Sequence, residues 1–82
     1  MHTFYVSLSS IEDVKQFVNA ANDCTCEVDV LSGRYVINAK SIMGLFSINL
    51  AQPVRVEVHD TDVQGTDFEK NVACFVTAAP EN

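Results

Sequence analysis

Apolar residues along this chain recur at two spacings, and the switches between them lay out the elements. In "TFYVSLSS", Phe4, Val6 and Leu8 alternate with Thr3, Tyr5 and Ser7, the period-two signature of a strand with one buried face. That strand is expected to end near Leu8. The period then changes, with Ile11, Val14, Phe17, Val18 and Ala21 following at helical spacing. Ser9-Ser10-Ile11-Glu12 ahead of them matches a capping box, in which a serine oxygen accepts from an early helical N–H and the glutamate reaches back. A first helix from about Ser10 to Asn22 follows. Cys26, Val28 and Val30 alternate with Glu27 and Asp29, and Ser32-Gly33 breaks the run before "RYVINA". Those two strands are expected to form a hairpin.

The next stretch, "AKSIMGLFS" from Ala39 to Ser47, is too apolar for an ordinary surface helix and too short for a membrane one. Ser41 is a suitable N-cap for a short helix beginning at Ile42 and ending before Pro53, whose fixed φ and missing N–H suit the start of a strand. Val54, Val56 and Val58 then alternate with Arg55, Glu57 and His59. Last, Thr66-Asp67-Phe68-Glu69 offers a second capping box before Phe68, Val72, Phe75, Val76 and Ala79, a stripe that predicts an amphipathic closing helix. The order is β-α-β-β-α-β-α, and each strand shows one apolar face. Residues 1–82 are therefore expected to form one α+β domain, an open-faced β-sandwich whose four-stranded antiparallel sheet is covered on one face by three helices.

Composition narrows the class. Apolar residues make up 48% of the 82-residue chain and are spread along it, as in globular proteins. No run approaches the roughly 18 residues that span a bilayer, and the first residues lack a basic n-region and a small-residue cleavage site. No membrane partner and a cytoplasmic location are expected. Eleven acidic against five basic residues give a formal charge of −6, which opposes the phosphate contacts on which nucleic-acid binding rests. Cys24, Cys26 and Cys74 are odd in number, which argues against a disulfide framework. The Cys24-Thr25-Cys26 spacing is not the CxxC of a redox or zinc site, so small buried thiols are the expected role.

The element order, the length and the KSIMG core of "AKSIMGLFS" resemble the histidine-containing phosphocarrier proteins (HPr) of the bacterial phosphotransferase system, and the likeness covers nearly the whole chain. In that family the residue matching Ser41 is a regulatory serine phosphorylated by a dedicated kinase, and the apolar residues after it dock onto kinase and transcription-factor partners. The resemblance implies a place in regulating sugar transport, with Ser41 as phosphorylation site and Lys40, Ile42, Met43 and Phe46 as partner-binding residues. It also implies a glycine-leucine-histidine-x-arginine-proline stretch opening the first helix, where the histidine accepts a phosphoryl group. Here that region reads "SLSSIEDVKQ", without histidine, arginine or proline. Capping serines and the carboxylates of Glu12 and Asp13 stand where a phosphoryl group would need free N–H groups and a positive helix end.

The two histidines, His2 and His59, are expected at the end of the sheet away from that helix start. The leading expectation is a protein-interaction or regulatory module without histidine phosphocarrier activity; the alternative is a phosphocarrier using a non-standard residue such as His59. On a wheel, Ile42, Met43 and Phe46 occupy one side of the short helix and Leu45 and Ile48 another, together spanning roughly 220°. Leu45 and Ile48 form the natural core face, with Gly44 permitting close approach, so the others stay at least partly exposed. Such a cluster of methionine and aromatic is a common partner site. Phosphorylation of Ser41 beside Lys40 would add about −1.5 to −2 charges next to it. Asp60, Asp62 and Asp67 lack the spacing of a calcium loop, His2 and His59 with Asp60 lack that of a metal site, and no cofactor or catalytic set can be assembled. The chain is not expected to be an enzyme.

Overall fold

A computed structural model describes residues 2–59 and 62–79, with side chains in the second segment from residue 66 onward. Strand β1 runs His2–Val6 and helix α1 Ile11–Asp23. The hairpin is β2 (Glu27–Ser32) and β3 (Tyr35–Asn38), followed by helix α2 (Ile42–Phe46), strand β4 (Val54–His59) and helix α3 (Asp62–Asn71). A 3-10 turn, Ala73–Phe75, leads into a short strand β5, Val76–Thr77. The sheet is antiparallel and ordered β3-β2-β4-β1-β5.

The period-two pattern sorts the faces as expected. Phe4 and Val6, Val28 and Val30, and Val54, Val56 and Val58 are buried under the helices. Val14, Phe17, Val18 and Ala21 of α1, Leu45 of α2, and Phe68 and Val72 of α3 complete the same hydrophobic cluster. The helices therefore share one side of the sheet. On the other side, Thr3, Arg55 and His59 are exposed and Tyr5, Asp29 and Glu57 half-buried. Between β2 and β3 the chain turns through Gly33, whose φ of 58° lies where a side chain would be disfavoured.

The C-terminal region differs from the sequence expectation. The sheet has five strands rather than four, and α3 begins at Asp62, upstream of the Thr66 capping pattern. The same serine/threonine-x-x-glutamate/glutamine spacing also occurs at Thr61-Asp62-Val63-Gln64, so the pattern alone does not place the helix start. Nor does the helix continue to Ala79. After Asn71 the chain tightens, with the Val72 N–H shared between the carbonyls of Phe68 and Glu69 at 3.2 Å each. Val76 and Thr77 then pair with Val6 and Tyr5, and Ser7 N–H donates to the Phe75 carbonyl at 2.8 Å. The outer side of β1 would otherwise present unpaired backbone groups, and a β-branched pair is well suited to fill them.

The cysteines also differ. Cys24 and Cys26 are paired as a disulfide, with Cα atoms 5.5 Å apart. Cys24 caps the C-terminus of α1 in an extended conformation, and one intervening residue brings Cys26 back beside it before β2. Cys26 is buried, whereas Cys74 is a free, exposed thiol rather than a buried one.

Candidate functional site

Where β1 hands over to α1, an open hollow of about 430 Å³ is lined by Ser7, Leu8, Ser9, Ser10, Ile11, Val14, Phe46, Leu50 and Ala51. Its polar side is the mouth of α1. Ser10 is the N-cap in extended conformation, and its hydroxyl oxygen accepts from the Asp13 N–H at 3.1 Å. The reciprocal partner is Asp13 rather than Glu12. One carboxylate oxygen of Asp13 accepts from both the N–H and the hydroxyl of Ser9, each at 3.0 Å. The Ser9 backbone N–H foremost, then the Ser9 hydroxyl, hold the Asp13 carboxyl below its ordinary value; Ser10 adds to the effect and partial burial opposes it. Glu12 and Asp13 thus place two carboxylates in the first turn of α1, where the helix end favours negative charge.

The apolar side of the hollow belongs to α1 and α2 together. Ile11 is 65% exposed, Phe46 is 42% exposed and Met43 is 76% exposed. Met43 and Phe46 stand three residues apart on one side of α2, and Phe46 and Ile11 both line the hollow. Ile42 is half-buried and packs on the core, as do Ile48 and Leu50, while Leu45 is fully buried. Ile11 was not legible as a surface residue. It opens the α1 stripe, but on a wheel it lies about 70° from the centre of Val14, Phe17, Val18 and Ala21, which leaves it at the rim.

Ser41 is exposed and caps α2, its hydroxyl accepting from the Gly44 N–H at 3.2 Å. Lys40 is engaged through its side chain at the end of α1. Its ammonium donates to the Cys24 carbonyl at 3.0 Å and its N–H to the Asn38 side-chain oxygen at 2.9 Å. Gly44 provides the close approach expected of it, since a Cβ there would lie 2.6 Å from Ile37 Cγ2.

Both imidazoles lie elsewhere. His2 opens β1 and pairs with Val58 in register, so His59 stands at the same end of the sheet. The five residues of β1 alone put roughly 13 Å between that end and the strand's exit toward α1. His2 Nε2 is 2.6 Å from Glu69 Oε1 of α3, and His59 Nε2 is 2.8 Å from Asp29 Oδ2 on the open face. Asp60 and the side chain of Asp62 lie outside the described residues, and among those described no three His, Cys, Asp or Glu side chains converge as a metal site. No helix there is long and apolar enough to cross a membrane.

Comparison with known proteins bears on this geometry. The structure is similar to HPr-C-His from Thermoanaerobacter tengcongensis, with a TM-score of 0.74 at 21% identity over 90% of this chain and 89% of that one. It is likewise similar to the phosphocarrier protein HPr from Bacillus anthracis str. Ames, with a TM-score of 0.70 at 22% identity over 93% of this chain and 96% of that one. At those identities the likeness establishes the fold. No curated protein matches the chain in sequence. The family model described as "PTS HPr component phosphorylation site" matches residues 13–79, beginning just after the serine pair at the α1 mouth. With a family match over the greater part of its length and that fold, the chain belongs to the HPr family of phosphotransferase-system phosphocarriers.

Proposed function

We propose that this HPr-family domain acts as a regulatory, protein-interaction module of the phosphotransferase system, not as a histidine phosphocarrier or an enzyme. The observation that carries the reading is the closed circuit at the start of α1. Ser10 takes the Asp13 N–H, and Asp13 takes the N–H and hydroxyl of Ser9. A transferred phosphoryl group needs a nucleophile and donors to hold it; at this helix mouth the Ser9 N–H, the Ser9 hydroxyl and the Asp13 N–H are already engaged, and two carboxylates repel an added dianion. The histidines are held by Glu69 and Asp29 at the opposite end of the sheet.

What remains available at this end is a docking surface. Ile11 and Phe46 expose apolar area at the hollow, exposed Met43 extends it along α2, Ile42 is half-buried, and Lys40 and Ser41 stand at the N-terminal end of α2. Protein partners of the phosphotransferase system, a serine kinase or a transcriptional regulator among them, would bind there. Phosphorylation of Ser41 would change the charge beside Met43 without touching the core. The domain works in the cytoplasm on this reading, without cofactor, nucleic acid or membrane.

Incubation with phosphoenolpyruvate and the upstream phosphotransferase enzyme, followed by intact mass, tests the carrier question. No acid-labile phosphate is expected on the protein. Acid-labile phosphate mapped to His59 or His2 would overturn the reading in favour of a carrier that uses a non-standard residue.

A further inference from the structure

The Cys24–Cys26 pair has a placement that a structural cross-link does not need. Its ring contains one intervening residue, and closing so short a loop removes little freedom from the unfolded chain. Cys26 belongs to the core and Cys24 packs against it, but the rest of that core comes from every helix and from β1, β2 and β4. The inference rests on the proposed cytoplasmic location, where disulfides that form are usually redox-active rather than scaffolding.

Two further observations give the pair access and an output. Cys24 is half-buried and, with Asp23, Thr25, Asp67, Phe68 and Asn71, lines an open cleft of about 380 Å³ between the end of α1 and α3. Cys26 is buried. An external thiol therefore reaches the Cys24 sulfur first and leaves Cys26 as the displaced group. The output is Lys40. Its ammonium is held on the carbonyl of Cys24 itself at 3.0 Å, and the next residue is the N-cap of α2.

We infer that Cys24 and Cys26 form a reversible dithiol–disulfide couple, exchanging with small-molecule thiols through the α1–α3 cleft, and that the disulfide holds Lys40 against the end of α1. In the reducing direction a thiolate attacks Cys24 Sγ, forming a mixed disulfide and expelling the Cys26 thiolate, which takes up a proton. A second small-molecule thiolate attacks the external sulfur of that mixed disulfide and releases the oxidised small-molecule disulfide. The Cys24 thiolate is then protonated. Two thiols are oxidised and one protein disulfide is reduced; the oxidising direction is the reverse, with the small-molecule disulfide as oxidant. Reduction frees the Cys24 carbonyl to move and loosens Lys40. The cleft carries the carboxylates of Asp23 and Asp67, so it favours uncharged or cationic thiols over anionic ones, an effect that salt weakens. The inference stands independently of any role for Ser41.

The test uses the full chain with Cys74→Ser, which removes the exposed third thiol. The protein is equilibrated with graded ratios of 2-mercaptoethanol to its disulfide, of cysteamine to cystamine and of glutathione to its disulfide, quenched with N-ethylmaleimide and weighed intact. A population that shifts with the ratio from no added maleimide to two supports the couple. Two maleimides at every ratio, or none until the protein is denatured, overturns it. Exchange rates per thiolate, each divided by the same thiolate's rate with an uncharged small-molecule disulfide to remove its intrinsic nucleophilicity, are expected to be higher for cysteamine than for glutathione; a ratio of one or below overturns access through the acidic cleft.

A brief acetylation pulse then reads the output, with exposed Lys15 and Lys70 as internal standards. Lys40 is expected to acetylate severalfold faster in the reduced protein, and equal rates in the two states overturn the link. In Cys24→Ser, checked for folding by circular dichroism, Lys40 acetylation should stay at the reduced level whatever the thiol ratio. If that variant does not fold, the ratio titration and the pulse on the parent still decide the question.

Discussion

Gly44→Ala tests how α2 is seated. The glycine lies within a helix and not at a positive φ, so its backbone has no need of glycine, and intrinsic propensity alone would favour alanine by about 0.5–1 kcal/mol. Space decides otherwise. A Cβ at this position would sit 2.6 Å from Ile37 Cγ2 and 3.0 Å from the Ser41 hydroxyl oxygen. The first contact cannot be relieved by a flexible tip, because Cγ2 is attached directly to the branched Cβ of a residue packed on the core. The second pushes on the oxygen that accepts the Gly44 N–H. Overpacking of this kind costs about 1–3 kcal/mol, which against the propensity gain leaves a net loss near 1 kcal/mol. For a domain of this size that lowers Tm by about 4–8 °C. Thermal unfolding followed by circular dichroism measures it, and a cycle with Ile37→Ala isolates the contact. In the Ile37→Ala background the alanine should cost less, because the methyl it strikes is gone. A Gly44→Ala protein as stable as the parent, or the same cost in both backgrounds, would refute the seating of α2 on β3 argued above.

The two sides of α2 should respond differently to truncation. Leu45→Ala, at a fully buried site, is expected to cost about 2–5 kcal/mol in urea unfolding, a large share of the roughly 4–12 kcal/mol available to a chain of this length. Met43→Ala, at an exposed site, should stay within about 0.5 kcal/mol of the parent; comparable losses at both positions would contradict the assignment of the faces. Ser41→Ala removes the α2 cap and should cost about 1 kcal/mol, with no change in the redox titration of Cys24 and Cys26. Asp13→Asn should be less stable than the parent at neutral pH. The Asp13 carboxyl is held below its ordinary value, so its contribution is present above the unfolded-state value and fades as pH falls through the folded-state one. The two proteins should therefore converge in acid, and a gap that persists there would refute the Ser9–Asp13 pairing.

Most of the scaffold could be read from periodicity because each signal there had one physical outcome. Val54, Val56 and Val58 alternate without interruption and form β4 over the residues expected, and Ser41 stands one residue before the short α2 helix it was expected to cap. The misread places are those where a local signal had two outcomes and a distant partner chose between them. Phe75 and Val76 continue the α3 stripe in sequence, yet Val76 is taken into β5 because the outer side of β1 needs hydrogen-bond partners, a requirement that no local window contains. Glu12 and Asp13 are both carboxylates near the Ser9-Ser10 pair, and which one closes the circuit depends on Ser10 being the cap, which makes Asp13 the third helical residue and puts its carboxylate within 3.0 Å of Ser9. Ile11 satisfies the helical spacing but sits at the rim of the stripe, where burial depends on what the neighbouring helix covers. Phe46 lines the same hollow instead of closing over it, and this turns an ordinary helix residue into part of the exposed apolar surface. The same logic separates the cysteines: Cys24 and Cys26 become a pair because the end of α1 and the start of β2 bring their Cα atoms to 5.5 Å, whereas Cys74 falls on the exposed side of the turn before β5. The candidate site is thus legible as separate residue types on separate elements, and its chemistry follows from how the core and the sheet edges bring them together.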